Sequence, residues 1–399
     1  MKTGWQIKTL AEVCQIKPPK AEARCRLSAT DMVSFVPMED LGIDQKILVP
    51  IQTKPLGDVD GSYTYFADGD VLLAKITPCF ENGKLGIAAN LTNGIGFGSS
   101  EYIVFRPNKF VNKEWIYYVL SRESFREEGT ARMNGAVGHK RVAKEFIESY
   151  PVPIPPLPEQ RRIVGILDKA FDGIATAKSN TEKNLQNARE LFESYLQSVF
   201  TQQGQGWEEK RLGEVYDVRD GTHDSPKYHT TGFPLITSKN LKKEGLSFEN
   251  VNLINEQDFI KINQRSVVHK GDVLFAMIGT IGNPTIVTVK PNFAIKNVAL
   301  FKIPHNQSGP FLKHYLASSW VVSKMMKEAK GTTQKFVGLG YLRDFPINIP
   351  PLPKQLEVVK KLEEMSAETQ CLKSIYQRKL TALDELKKSL LHQAFSGEL

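Results

Sequence analysis

Cysteine is scarce and scattered. The four residues Cys14, Cys25, Cys79 and Cys371 lie far apart, with no CxxC pair. That pattern argues against a disulfide framework or a cysteine-held metal, and it fits a reducing cytoplasm. No apolar run approaches the length of a membrane span, and Met1-Lys2-Thr3-Gly4-Trp5 does not open a signal peptide. The expectation is a cytoplasmic chain with no membrane partner and no metal site. No Gly-x-x-x-x-Gly-Lys-Ser/Thr loop is present to cradle phosphates, and no glycine-rich turn between strand and helix suits a nucleoside cofactor. An amino-methyltransferase would need an Asn/Asp-Pro-Pro-Tyr/Phe loop to hold a flipped base. Both Pro-Pro pairs here, Pro155-Pro156 and Pro350-Pro351, instead follow isoleucine and precede leucine. Glu-x-Lys spots such as Glu208-Glu209-Lys210 lack an acidic partner upstream, so a nuclease is poorly supported. A single-chain methyltransferase or nuclease is therefore disfavoured, and no catalytic residue is assigned.

What the chain does have is itself, twice. Trp5, Leu10, Glu12 and Val13 recur as Trp207, Leu212, Glu214 and Val215, and Gly69-Asp70-Val71-Leu72 recurs as Gly271-Asp272-Val273-Leu274, both 202 residues on. Pro155-Pro156-Leu157-Pro158-Glu159-Gln160 recurs as Pro350-Pro351-Leu352-Pro353-Lys354-Gln355, 195 residues on. Each copy is the size of a domain, so this is a duplication and not a solenoid. Two similar units in one chain can read two things at a fixed separation.

Charge separates the copies. The 399 residues carry a net +8. Residues 1–150 hold 19 basic and 18 acidic side chains, net +1, and residues 207–350 hold 19 and 13, net +6. A basic balance of this kind points to a polyanion, with nucleic acid foremost.

Each copy reads as short strands and turns, then a helix. The strand candidates are Val71-Leu72-Leu73-Ala74 and Tyr102-Ile103-Val104-Phe105, matched by Val273-Leu274-Phe275-Ala276 and Val298-Ala299-Leu300-Phe301. Helices are expected over 115–126 and 311–330. A proline-rich segment follows in each copy, then a long helix, over 159–200 and 354–395. Ile163, Leu167, Ala170, Ile174, Ala177, Thr181, Asn184, Ala188, Leu191 and Tyr195 follow one another in steps of 4 and 3. So do Val358, Leu362, Met365, Thr369, Leu372, Tyr376, Lys379, Leu383, Leu386 and Leu390. Both rows read as a heptad seam with polar interruptions. Neither seam can be buried against one compact domain, so each helix is expected to pack antiparallel against the other. The expected architecture is α+β: two globular domains at opposite ends of an antiparallel pair of long helices, with pseudo-twofold symmetry. The expected divisions are 1–150, 151–206 (first long helix and linker), 207–346 and 347–399 (second long helix).

These features resemble the specificity subunit of type I restriction–modification systems, over essentially the whole chain. The resemblance rests on the paired Pro-Pro-Leu-Pro-x-Gln and Gly-Asp-Val-Leu elements and on the ending Ser389-Leu390-Leu391-His392-Gln393-Ala394-Phe395. It also rests on Lys75-Ile76-Thr77-Pro78-Cys79-Phe80-Glu81-Asn82-Gly83-Lys84 in the first copy. In the second copy it rests on Asp220-Gly221-Thr222-His223 and Pro234-Leu235-Ile236-Thr237-Ser238-Lys239-Asn240. The resemblance implies that each domain is a target recognition domain reading half of a split, asymmetric site on double-stranded DNA. It implies that the helices set the spacing between the halves and dock two modification subunits, which restriction subunits join. It implies no catalysis by this chain. S-adenosylmethionine, ATP and Mg would be bound by those partners.

Candidate DNA contacts are Lys75, Thr77, Lys84, His139, Lys140 and Arg141 in the first domain. In the second they are His223, Lys239, Asn240, Thr332, Thr333, Gln334 and Lys335. Lys, Arg and Gln suit phosphates and base edges, and the glycines beside the 139–141 and 332–335 stretches let backbone approach a duplex. Gly69-Asp70 and Gly271-Asp272 read as structural turns instead. A coiled-coil adaptor without DNA affinity is the competing reading. A salt titration separates the two, because phosphate contacts make log K fall steeply with log salt.

Overall fold

The structure, a computed structural model, describes residues 4–136, 138–201, 205–242, 244–331 and 335–399. The chain divides into two compact units, Met1–Thr181 with Lys379–Leu399, and Glu182–Arg378. Each unit is thus one globular domain, part of the long helix that follows it, and part of the other long helix. The linear division expected from sequence is crossed in this way by both helices.

In the first unit a five-stranded sheet has the order Cys14–Ile16, Tyr102–Pro107, Val71–Ala74, Leu85–Ala88, Ile47–Leu48. A four-stranded sheet has the order Gln52–Pro55, Met32–Val36, Ile95–Gly98, Thr64–Ala67. Val71 to Ala74 are all buried, as a continuous apolar run in a central strand requires. The second unit repeats the plan with fewer strands. One sheet runs Asp217–Asp220, Val298–Lys302, Val273–Ala276, Gly282–Ile286, and the other runs Asn252–Ile254, Phe233–Ile236, Ala294–Ile295. Met32–Val36 lies parallel to Ile95–Gly98, and Phe233–Ile236 lies parallel to Ala294–Ile295, so the less usual pairing is duplicated too.

The proline-rich segments are strands. Pro151–Ile154 pairs antiparallel with Gln6–Thr9, and Pro346–Ile349 pairs with Glu208–Arg211. In the first pair the prolines, at 151 and 153, take alternate positions, where a strand on an edge has no N–H to give. These segments therefore close their own domains, and the boundaries expected at 151 and 347 fall inside a sheet.

Each helix expected between sheet and proline segment is broken in two: Lys113–Leu120 and Glu123–Ala131, then Gly309–Ala317 and Ser319–Glu328. The cause is the same in both copies. Ser121 Oγ donates to Tyr118 O (2.9 Å), and Ser318 Oγ donates to Tyr315 O (2.8 Å). Such a side chain competes for the carbonyls that would carry the helix on.

The long helices are Leu157–Thr201 and Leu352–Ser396, 45 residues each. In the first unit, Ile163 and Leu167 share a core with Leu391, Ala394 and Phe395. In the second, Leu196 and Phe200 share a core with Val359 and Leu362. Each unit thus joins the start of one long helix to the end of the other. Trp115 meets Trp5 at 5.9 Å and Phe395 at 4.6 Å. Its counterpart Phe311 meets Trp207 at 5.9 Å and Phe200 at 5.3 Å.

The seam keeps a heptad, with one of its two positions lying a residue later than expected. Ile163, Leu167, Ile174 and Leu362 are buried, and Tyr195, Val358, Leu383 and Leu390 are half-buried. Leu191, Leu372 and Leu386 are 64%, 39% and 47% exposed, which corrects their assignment to the seam. Leu185 and Phe192 turn inward on the first helix, and Leu380 and Lys387 on the second. The inward positions include 164, 167, 171, 174, 178, 181, 185, 188, 192, 195 and 199 on the first helix and 359, 362, 366, 369, 373, 376, 380, 383, 387, 390 and 394 on the second, steps of 3 and 4 that hold a 3.5-residue repeat throughout.

Candidate nucleic-acid interface

The duplicated Gly-Asp turns serve the fold. Gly69 and Gly271 have φ of 91° and 94°, which a side chain would oppose. Asp70, 1% exposed, accepts from Ala67 N (2.8 Å) and takes both prongs of Arg106 (2.7 and 2.8 Å). Asp272 accepts from His269 N (2.7 Å) and pairs with Lys302 (2.5 Å).

The duplicated glutamines explain the Pro-Pro-Leu-Pro-x-Gln motif. Gln160 is fully buried. Its Oε1 accepts from Asn112 N (2.8 Å), and its Nε2 donates to Phe110 O (3.1 Å) and Pro155 O (2.8 Å). Gln355 accepts from Ser308 N (2.9 Å) and donates to Pro350 O (2.8 Å) and Gln307 Oε1 (2.7 Å). Asn112 and Ser308 are the N-caps of the helices that carry Trp115 and Phe311. One amide in each copy therefore bolts the domain's helix to the foot of its long helix.

On that frame the structure gathers most of the predicted contacts at one end of each larger sheet. In the first domain Thr77 N donates to Lys140 O (2.9 Å) and Val142 N donates to Lys75 O (2.9 Å). In the second, Gly279 N donates to Lys335 O (3.0 Å) and Val337 N donates to Met277 O (3.0 Å). The loops ending in Lys140 and Lys335, unlike in sequence, are thus pinned in the same way to the turn after the same strand. His139, Lys140 and Lys335 are exposed. Thr332, Thr333 and Gln334 lie outside the described residues.

The remaining candidates differ in how free they are. Arg141 grips Glu101 with two bonds (2.8 and 2.7 Å), and Lys75 reaches Ser100 O (2.9 Å). Burial pulls the Lys75 ammonium below its usual pKa, and Arg141 and Lys17 add repulsion against the attraction of Glu101. Thr77 Oγ1 donates to Glu81 (2.7 Å) and Lys84 donates to Met38 O (2.7 Å), so both are turned into the domain. Lys239 is exposed. Its neighbour Asn240 is 5% exposed; Oδ1 accepts from Thr237 N (2.9 Å) and Nδ2 donates to Ser247 O (3.1 Å). Asn240 is a turn residue, and the expectation that it faces DNA is corrected.

His223 sits at the same end of the second domain's larger sheet. Its ring nitrogens face Asn297 Oδ1 and Asp220 Oδ2, each at 2.8 Å. The protonated ring satisfies both oxygens, so its pKa is raised, by Asn297 most and then Asp220. Buried Asp220 also holds Arg265. Asn297, Arg265, Glu101 and Lys17 carried no signal in sequence, since each lies outside a motif and meets its partners only through the sheet. Among the described residues no cluster of His, Cys, Asp and Glu could hold a metal, and no helix is long and apolar enough to cross a membrane.

The model of the Type I restriction modification DNA specificity domain matches residues 2–187 and again 204–378. The chain belongs to this family. Its two matches coincide with the two copies described above. The specificity subunit of the type I restriction enzyme EcoEI of Escherichia coli is 36% identical over 230 residues, 54% of this chain and 36% of that protein. For the EcoAI subunit of E. coli the identity is 37%, over 40% of this chain and 27% of that protein. The chain thus spans about a third of the length of these two relatives. The MjaIX subunit of Methanocaldococcus jannaschii is 24% identical over 85% of this chain and 79% of its own. The specificity-domain fold is shared with the HsdS subunit from Thermoanaerobacter tengcongensis, at a TM-score of 0.70, 20% identity, and coverage of 100% of this chain and 98% of that one. A chain from a type I R-M system solved for its complex assembly and conformational transition gives 0.80 at 19% identity, covering 100% and 99%.

Proposed function

We propose that the chain is the DNA sequence-recognition and assembly subunit of a type I restriction–modification complex. Each domain reads one half of a bipartite, asymmetric site on double-stranded DNA. The observation that carries this is the pair of Lys140 and Lys335 loops, pinned identically on two copies of one scaffold and different in sequence. One fold with two reading loops suits two half-sites that are not repeats of each other. Candidate phosphate contacts are Lys140 and Lys335, with His139, Arg141, Lys75, His223 and Lys239 beside them. Thr332, Thr333 and Gln334, which lie outside the described residues, stay candidates in this reading.

The chain performs no catalysis in this proposal. Its duplicated feet, built on Gln160 and Gln355, offer equivalent faces to two modification subunits, and restriction subunits join that assembly in the cytoplasm. S-adenosylmethionine, ATP and Mg belong to those partners. The test is an exchange of residues 1–150 for those of a relative with another target, followed by mapping of methylated bases in host DNA. One half-site should change and the other should stay. A change in both halves, or in neither, would overturn the assignment.

A further inference from the structure

The first domain holds a cleft of about 630 Å3 at the same sheet end as the Lys140 loop. It opens between the outer edge of strand Thr64–Ala67, the turn at Lys17, and the helix Lys144–Ser149. Its size is that of a small-molecule site. Tyr102 and Ile103 line it below, and Tyr63 and Pro19 offer flat apolar walls. Tyr63 is half-buried, its ring set edge-on to Phe35 at 4.9 Å, so its plane is fixed before anything binds. Lys17 and Lys75 both line the cleft, and Lys17 forms no ion pair among the described residues. Around Lys75 stand Lys17, Arg141 and Glu101, the last held by Arg141 through two bonds, while the carboxylate that lines the cleft, Glu148, pairs with Lys144 at 3.4 Å. With both carboxylates shared with other cations, the partly buried Lys75 ammonium is short of an anion. In the second domain Met277, buried, stands where Lys75 does.

We propose that this cleft is a nucleotide-binding site, which takes the base of one unstacked nucleotide against Tyr63 and its phosphate between Lys17 and Lys75. Aromatic faces stack on any base, and lysines bind phosphate as point charges. The nucleotide has two possible sources: an extrahelical residue of bound DNA, which rests on the function proposed above, or a free nucleotide, which does not.

The experiment uses the full chain and three probes: AMP followed by ligand-observed NMR, a short duplex, and that duplex with one unpaired adenosine. A stacked base contributes about 1–3 kcal/mol, so the bulged duplex should bind about tenfold more tightly than the paired one. Tyr63→Ala should abolish that preference while the paired duplex binds as before, and Tyr63→Phe should keep it. These results support the cleft with DNA as the source. AMP binding that Tyr63→Ala removes, without any preference for the bulge, supports it with a free nucleotide as the source. Neither AMP binding nor bulge preference, in a chain that still binds the paired duplex, overturns the cleft and leaves the DNA reading standing. A preference that survives Tyr63→Ala also overturns it. A chain that binds none of the three probes overturns both.

Discussion

The two domains share a frame and differ where the frame ends. Strand order, the paired parallel strands, the broken helix, the buried glutamine and the aromatic ring at the helix foot are all duplicated. At the end of the larger sheet the chemistry diverges. The first domain lines a roomy cleft with Lys17 and Lys75, next to the Arg141–Glu101 pair. The second lines a hollow of about 300 Å3 with His223 and Arg265, which Asp220 and Asn297 hold from behind through His223 and, for Asp220, Arg265. A scaffold held constant while its tips vary lets two sites change independently. If that contrast is right, substitutions in the frame should act on stability in both domains, and substitutions at the tips should act on one.

The largest effect is expected at the buried carboxylates. Removing one partner of a buried ion pair costs about 3–5 kcal/mol. Among the described residues Asp272→Ala leaves Lys302 hydrogen-bonded to the carbonyl of Val267 alone, with Asp217 opposite it on the next strand but already held by Arg219. It should lose close to that full amount, about 3–5 kcal/mol, in urea unfolding. Asp70→Ala should cost about 1 kcal/mol less within the same range, because Arg106 keeps Glu22 at 2.5 Å. Equal losses would deny Glu22 its role; losses under about 1 kcal/mol would deny that either pair is buried.

The glutamines come next. Gln160→Ala strands Asn112 N–H and two carbonyls, and Gln355→Ala strands Ser308 N–H. A buried donor left without a partner costs about 1–3 kcal/mol, so each variant should lose about 2 kcal/mol. Matching values would make the two bolts equivalent. A loss in one copy alone would break the symmetry.

A pH scan sharpens the contrast at one helix position. His314 occupies the place that Tyr118 holds in the first domain. Burial presses the His314 imidazole down to about 4. The unfolded chain takes up its proton near the usual value of about 6.5. This contribution to stability is therefore complete above that value and is lost as the pH falls toward 4. Tyr118 has no such titration in acid; its hydroxyl donates to Asp168. The variant His314→Tyr should recover about 2 kcal/mol at the acid end of that window and little at neutral pH. An identical acid slope in the variant would sink the argument.

Much of this frame was legible in the sequence because packing repeats its signals. The Val71 and Val273 runs, the Trp5 and Trp207 pair and both long helices stand out by period or by recurrence. The helix breaks were not legible, since Ser121 and Ser318 act through a local bond that competes with helix hydrogen bonding. The seam was misread at Leu191, Leu372 and Leu386 because each is an apolar residue one place before the true heptad position, held by Phe192, Lys373 and Lys387. At the site, the exposed lysines were found from charge and from the glycines beside them. Asn240 was misplaced because its turn-capping role shows only once Ser247 is beside it. Arg265 and Asn297 reach His223 only across strands, and nothing in linear order brings them together.

The smallest effect is the most direct test of the reading loops. Lys140 and Lys335 are held by backbone bonds from the turn after one duplicated strand, so replacing either side chain leaves its anchorage intact. Lys140→Ala and Lys335→Ala should each weaken DNA binding by about 1 kcal/mol, across all sequences, and reduce the slope of log K against log salt by about 1. A phosphate contact has this signature because it releases a counterion and reads no base. A change confined to one half-site, with the slope unchanged, would make that lysine a base reader. No change in either would place that loop off the DNA, and the equivalence of the two domains would then end at their frames.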